Sequence, residues 1–225
     1  MTIRTYKPRR GRVSAKQAAA LVIDDGLLIT LPDSTDRTIT ESTIETLDLG
    51  RLFGSRPVVL EIGFGTGAAT AATARAEPDV GILAVEVHTA GLGDLLLRIR
   101  ADSLSNVRVV DGDALVLIRT MIPDESLDGI RSYFPDPWQK ARHHKRRLVT
   151  VDNAEILGSR TRAGGFWHLA TDWAPYAEHI LEVMSLSPHW DGGIIERPDS
   201  RPVTRYESTA LGAHRDIFDL WFTRR

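Results

Sequence analysis

The feature that most constrains this chain is the alternation that begins at Arg56. Short apolar runs and helical stretches follow one another from there to the C-terminus. Pro57–Ile62 (PVVLEI), Gly81–Val87 (GILAVEV), Asn106–Val110, Leu127–Phe134 and Gly165–Ala170 read as five buried strands. Two later strands are expected near Gly193–Glu196 and at Ile217–Phe222. Ala68–Ala76, Thr89–Ala101, Ala114–Met121, Leu148–Arg160 and Pro175–Leu186 read as helices; Pro78 stops the first, and a proline opens the last. Strands alternating with helices build βαβ units, so the expected fold is α/β with a mostly parallel sheet and helices on both faces. Right-handed crossovers then put the ligand crevice at the carboxyl ends of the strands. Upstream, Ser14 with Gln17 resembles a capping box opening a helix to about Asp25. Leu31–Glu41 is polar and turn-like, and a short helix is expected over Ser42–Leu49. Residues 1–13 read as a flexible basic arm, and residues 14–225 as one domain.

Composition narrows the chemistry. The chain has 225 residues, 42% hydrophobic and 26% charged, as in ordinary soluble domains. It contains no cysteine, which excludes disulfides, thiolate zinc sites, iron–sulfur clusters and cysteine nucleophiles, and fits a reducing, cytoplasmic compartment. No apolar run approaches the ~18 residues that span a bilayer, and no apolar stretch follows the basic N-terminus as in a secretory signal. Neither membrane nor metal is expected as a partner. Net charge is −2, but the average hides two basic segments. Arg4, Lys7, Arg9, Arg10 and Arg12 form the arm, and Lys140, Arg142, Lys145, Arg146 and Arg147 enclose His143 and His144. Such segments bind a polyanion locally even in a near-neutral protein.

The first strand ends in Glu61-Ile-Gly63-Phe-Gly65-Thr-Gly67. Glycines let the backbone turn sharply and approach a ligand closely. The third comes one residue early for a dinucleotide fingerprint, which holds a pyrophosphate at a helix N-terminus. Here Glu61 stands at the mouth, and a carboxylate suits an ammonium better than a phosphate. S-adenosylmethionine carries an α-amino group and no phosphate. Glu86 ends the second strand, where an acid can accept from both ribose hydroxyls. In the loop after the third strand either Asp111 or Asp113 would hold the adenine amino group. Asp113 is favoured, with a helix N-cap as its structural alternative.

The fourth strand runs into Tyr133-Phe134-Pro135-Asp136-Pro137-Trp138-Gln139-Lys140. Two prolines fix the direction of the Asp136 carboxylate, and aromatic neighbours suit a planar base. Trp138 is the tryptophan to test as a base platform; Trp173, Trp190 and Trp221 read as core. The basic run follows at once, placed to clamp phosphates while Asp136 meets a base.

EIGFGTG, FPDPWQKARHHKRRLV, TDW and RPVTRYE together resemble the bacterial tRNA (guanine-N7)-methyltransferases, from roughly Lys7 to the C-terminus. The glycine loop is shared across class I methyltransferases; the proline loop with its basic run is the specific part. The resemblance implies a Rossmann-like class I fold with a seven-stranded sheet. It also implies transfer of a methyl group from S-adenosyl-L-methionine to N7 of a guanosine in the tRNA variable loop (position 46 in tRNA numbering). Matched motif by motif, it implies Glu61, Gly63, Gly65, Glu86, Asp113 and Asp136 as cofactor contacts, with Asp136 meeting cofactor or substrate near the chemistry; because the methylated ring becomes cationic, Asp136 is the expected catalytic carboxylate, with Asp172 second. Lys140, Asp172, Thr204, Arg205, Tyr206 and Glu207 would contact the substrate, and Arg142, His143, His144, Lys145, Arg146 and Arg147 the RNA. His144 stands where the family often has Asn, and Tyr206 where it often has Phe, which bears on fine recognition geometry. Arg205 and Glu207 would pair at the pocket rim, or Glu207 would accept from guanine. The alternatives are a methyltransferase with another substrate, a non-catalytic tRNA-binding module and, third, a nicotinamide dehydrogenase. Monomer and homodimer stay open.

Overall fold

The computed structural model describes residues 5–6, 12–31 and 45–225. Arg4, Lys7, Arg9 and Arg10 of the arm, the turn-like stretch from 32 on and residues 42–44 of the helix expected at 42–49 lie outside them; residues 45–48 are not helical, and the helix there begins only at Leu49, with Asp48 as its N-cap. The strands are β1 (Leu28–Thr30), β2 (Val58–Ile62), β3 (Gly81–Glu86), β4 (Val107–Asp111), β5 (Leu127–Tyr133), β6 (Thr161–Thr171), β7 (Trp190–Ile195) and β8 (Phe218–Arg224). The helices are α1 (Ala15–Leu21), α2 (Leu49–Phe53), α3 (Ala68–Ala76), α4 (Thr89–Ala101), α5 (Ala114–Thr120), α6 (Val151–Arg160), α7 (Ala174–Leu186) and α8 (Arg205–Gly212). A 3₁₀ turn covers Ala141–Arg146.

The sheet order is β1-β4-β3-β2-β5-β6-β8-β7. All neighbours are parallel except β6 with β8 and β8 with β7. Among the described residues the sheet therefore has eight strands, not the expected seven. The extra one, β1, is three residues pairing with the edge of β4, too short to show a periodicity. α8 is the other unexpected element. Its Thr204 and Glu207 form a capping box, with the Thr204 Oγ1 accepting from the Glu207 N–H at 3.1 Å. The box expected at Ser14 and Gln17 is present and opens α1, which ends at Leu21. Thr150 caps α6, so that helix starts at Val151 instead of Leu148.

The core lies on both faces of the sheet. Leu60, Leu83, Val85, Ile130 and Trp167 pack in one apolar cluster with side chains of α5, α6 and α7. Ile82, Ala84, Val107 and Val109 meet Ala71 and Ala74 of α3 and Leu92, Leu95 and Leu96 of α4. Buried on both faces, β2, β3 and β4 read as the continuous apolar runs typical of parallel sheets. Strand order reverses between β2 and β5, which run in register with Glu61 opposite Arg131. The glycine loop and the proline loop thus leave neighbouring parallel strands at the same edge, at the topological switch point where such sheets bind ligands. Among the described residues no helix is long and apolar enough to cross a membrane.

Candidate active site

Glu61, at the end of β2, is only 6% exposed. Its Oε1 accepts from the Thr70 hydroxyl at 3.1 Å. Burial pushes its pKa up from 4.5 to about 7, against the pull of the Arg131 charge and the Thr70 hydrogen bond. The loop that follows turns through three left-handed glycines, with φ of 78° at Gly63, 63° at Gly65 and 70° at Gly67. The space a Cβ would occupy at Gly63 and Gly65 is open to 4 Å. On the protein side the packing is tight, because a Cβ at Gly91 of α4 would stand 2.0 Å from the Gly65 carbonyl.

Glu86 is tied into this loop. Its Oε2 accepts from the Gly65 N–H at 3.0 Å, and its Oε1 from the N–H groups of Val87 (2.7 Å) and His88 (3.2 Å). Asp113 caps α5, accepting from the Leu115 N–H at 2.9 Å, as its structural alternative anticipated. Asp111 faces Glu86 in register and is half-buried, which raises its carboxyl above the ordinary range. A buried carboxylate with a single hydroxyl donor, an open glycine cradle, and acids at the ends of β3 and β4 fit S-adenosylmethionine group by group.

The proline loop is held rigidly. Phe134 (φ 54°) and Trp138 (φ 44°) flank Pro135-Asp136-Pro137 in left-handed conformations that bulky residues adopt at a cost of about 1–3 kcal/mol. The half-buried Asp136 stands between them. The Phe134 N–H continues the β5 ladder to the Ala170 carbonyl at 2.7 Å. Arg147 braces the loop from behind. It is 3% exposed, its Nε donates to the Pro137 carbonyl at 3.0 Å, and its guanidinium covers the Tyr176 ring at 5.1 Å.

This placement corrects the reading of Arg147 as an RNA contact, because its fork is used inside the protein. Lys140, Arg142 and Lys145 are exposed, with His143, His144 and Arg146 partly so. Trp138 is corrected too: it is 7% exposed rather than presented as a base platform. Its Nε1–H donates to the Thr5 carbonyl at 2.9 Å, and the Arg146 guanidinium lies 4.9 Å from its ring centroid.

Asp172 follows β6, next to the proline loop, and pairs with Arg215 at 2.5 Å. In the RPVTRYE segment, Thr204 is the N-cap of α8, while Arg205 and Tyr206 are exposed. Glu207 is 1% exposed and pairs with Arg201 (2.7 Å) and Arg197 (2.7 Å), so the expected pairing with Arg205 is replaced. Burial works to raise the Glu207 carboxyl, and the two guanidinium groups more than offset it and hold it below the ordinary range. A side chain so enclosed does not reach a guanine from this position. Arg201 is the residue sequence reasoning missed, and Arg147 the one whose role it misassigned. The capping signal Thr204-x-x-Glu207 was the available clue that Glu207 turns back toward the protein.

Residues 55–220 match the family model described as "Putative methyltransferase". The chain is 46% identical over 232 residues to a tRNA (guanine-N(7)-)-methyltransferase of Streptomyces avermitilis, covering 99% of this chain and 75% of the relative. It is 42% identical over 227 residues to one of Thiobacillus denitrificans, covering 99% and 96%. Among solved structures, the 16S rRNA methyltransferase KamB superposes with a TM-score of 0.58 at 14% identity, covering 80% of this chain and 94% of that one. That likeness speaks for the fold.

Proposed function

Because the chain belongs to the tRNA (guanine-N7)-methyltransferase family, we propose that its switch-point cleft methylates N7 of a guanosine in tRNA, with Asp136 as the catalytic carboxylate. The observation that carries this reading is the adjacency of β2 and β5, which sets the Glu61 glycine loop beside the Asp136 loop on one edge of the sheet.

The cleft's own residues divide the work. Glu61 receives the α-ammonium of S-adenosylmethionine, the Gly63–Gly67 turn lets the backbone approach it, and Glu86 accepts from the ribose hydroxyls while anchoring Gly65. Asp113, or its neighbour Asp111, accepts from the adenine amino group. When bound there, S-adenosylmethionine supplies a sulfonium methyl, which the lone pair of guanine N7 takes in line as the carbon–sulfur bond breaks. N7 carries no proton, so no general base is needed and the protein contributes position and field. Asp136 faces the positive charge that grows on the purine ring, and also accepts from the base edge or touches the cofactor. Lys140, Asp172 and the Thr204–Tyr206 turn border the base. Arg142, Lys145 and Arg146 hold the tRNA backbone, with the N-terminal arm adding phosphate contacts. The variable-loop guanosine is the one the resemblance indicates.

Single-turnover methyl transfer to unmodified tRNA at saturating S-adenosylmethionine tests the assignment. Removing one preorganised electrostatic contact costs about 3 kcal/mol, so Asp136→Ala is expected to slow the step roughly 10²-fold. Wild-type rates in both Asp136→Ala and Asp136→Asn would remove Asp136 from the chemistry.

A further inference from the structure

Beneath the proline loop lies a buried chain of charges centred on Arg201, whose side chain is 1% exposed. Its Nη1 and Nη2 donate to the two Glu207 oxygens at 2.7 and 2.9 Å. Its Nη2 also donates to Asp219 Oδ2 at 3.0 Å, and its Nε lies 2.8 Å from Asp219 Oδ1. His168 Nε2 meets the same Asp219 Oδ1 at 2.8 Å, and its Nδ1 lies 3.0 Å from the Tyr133 hydroxyl. The guanidinium carbon is 5.5 Å from the Tyr133 ring centroid and 6.0 Å from that of Phe134. One planar cation thus touches the start of α8, strand β8 and the residue that opens the proline loop.

Burying such a network is expensive, and apolar packing of the same volume is often the more stable choice. Its geometry shows what it holds. Phe134 is in the left-handed region, and conformations of that kind persist only where the surroundings over-determine them. The Arg201 cation under the Phe134 and Tyr133 rings is one such constraint, and Pro135 passes it on to Asp136. We infer that Arg201 is a positioning residue for methyl transfer. It ties Phe134 to the first turn of α8 and so holds the Asp136 carboxylate in one direction toward the base. The inference rests on the assignment of Asp136 made above.

Arg201→Lys tests it, because lysine keeps the charge and loses the planar fork. Displacing a catalytic group by about 1 Å costs on the order of 10²-fold, so the single-turnover rate is expected to fall 10- to 100-fold. The dissociation constant for S-adenosylmethionine, read by calorimetry, should stay within about twofold, since Glu61, Glu86 and Asp113 lie outside the network. In an Asp136→Ala background the same change should cost less than about twofold, because Arg201 acts through Asp136. A wild-type rate in folded Arg201→Lys, or a loss that multiplies that of Asp136→Ala, overturns the inference. Where thermal melting shows Arg201→Lys unfolded, Asp219→Asn takes its place, with at least a fivefold slower rate expected and an unchanged rate contradicting the account. A slow Asp136→Ala beside fast Arg201→Lys and Asp219→Asn would sink this inference alone. A fast Asp136→Ala would sink the Asp136 assignment and this inference with it.

Discussion

Glu61 is the side chain to which the proposed function assigns the cofactor's ammonium. In the free protein the fold favours its neutral form, because burial penalises the charge more than Thr70 and Arg131 relieve it. Its contribution to stability is therefore fully present below pH 4.5 and is lost as pH rises to about 7. An ammonium reverses the preference. With its carboxyl held up at about 7, Glu61 should release a measurable fraction of a proton when S-adenosylmethionine binds at pH 6.5. Calorimetry in buffers of different ionisation enthalpy measures that release. Glu61→Gln should abolish it and weaken binding at least tenfold, losing a charge-assisted contact of about 1.5–3 kcal/mol. An unchanged proton count would take the ammonium away from Glu61. The place of this residue was legible, because a strand end followed by glycines leaves few places for its carboxylate. Arg147 and Glu207 were not. Their partners, the Pro137 carbonyl and the Arg201 guanidinium, are chosen by how loops fold back, and the pattern of charges along the chain does not encode that.

Among the elements, the 3₁₀ turn Ala141–Arg146 separates two kinds of cation that look alike in sequence. Lys140, Arg142 and Lys145 face outward, while Arg147 ends the turn facing in. Each phosphate neutralised by an exposed cation contributes about −0.7 to −0.9 to the slope of log affinity against log salt. Arg142→Ala and Lys145→Ala should each flatten that slope by about one, measured between 50 and 200 mM salt. Arg147→Met should leave the slope alone while lowering the melting temperature and the methylation rate, because it frees the Pro137 carbonyl and one face of Tyr176. The reverse pattern would mean that Arg147 meets RNA after all. At α8, Thr204→Ala removes an N-cap and should cost about 1 kcal/mol in thermal or denaturant unfolding. The long helices and parallel strands were legible from periodicity and proline punctuation. β1 and α8 were not, because β1 is only three residues long and α8 buries only Glu207 and Ala210, which leaves no apolar stripe, and only a capping box announced it.

For the whole molecule, alternation predicted a parallel sheet, and sequence alone left the strand order open. The order matters most between β2 and β5, where the direction of winding changes and two stiff turns share an edge. One of those turns suits a sulfonium donor and the other a purine. Their neighbourhood is the account's central claim, and the chemistry it allows is transfer to an unprotonated ring nitrogen. Mass spectrometry of nucleosides from unmodified tRNA, after incubation with the protein and S-adenosylmethionine, tests that claim most directly. The account predicts 7-methylguanosine as the methylated product. A complete tRNA pool that yields none, or yields a different methylated nucleoside, would contradict it.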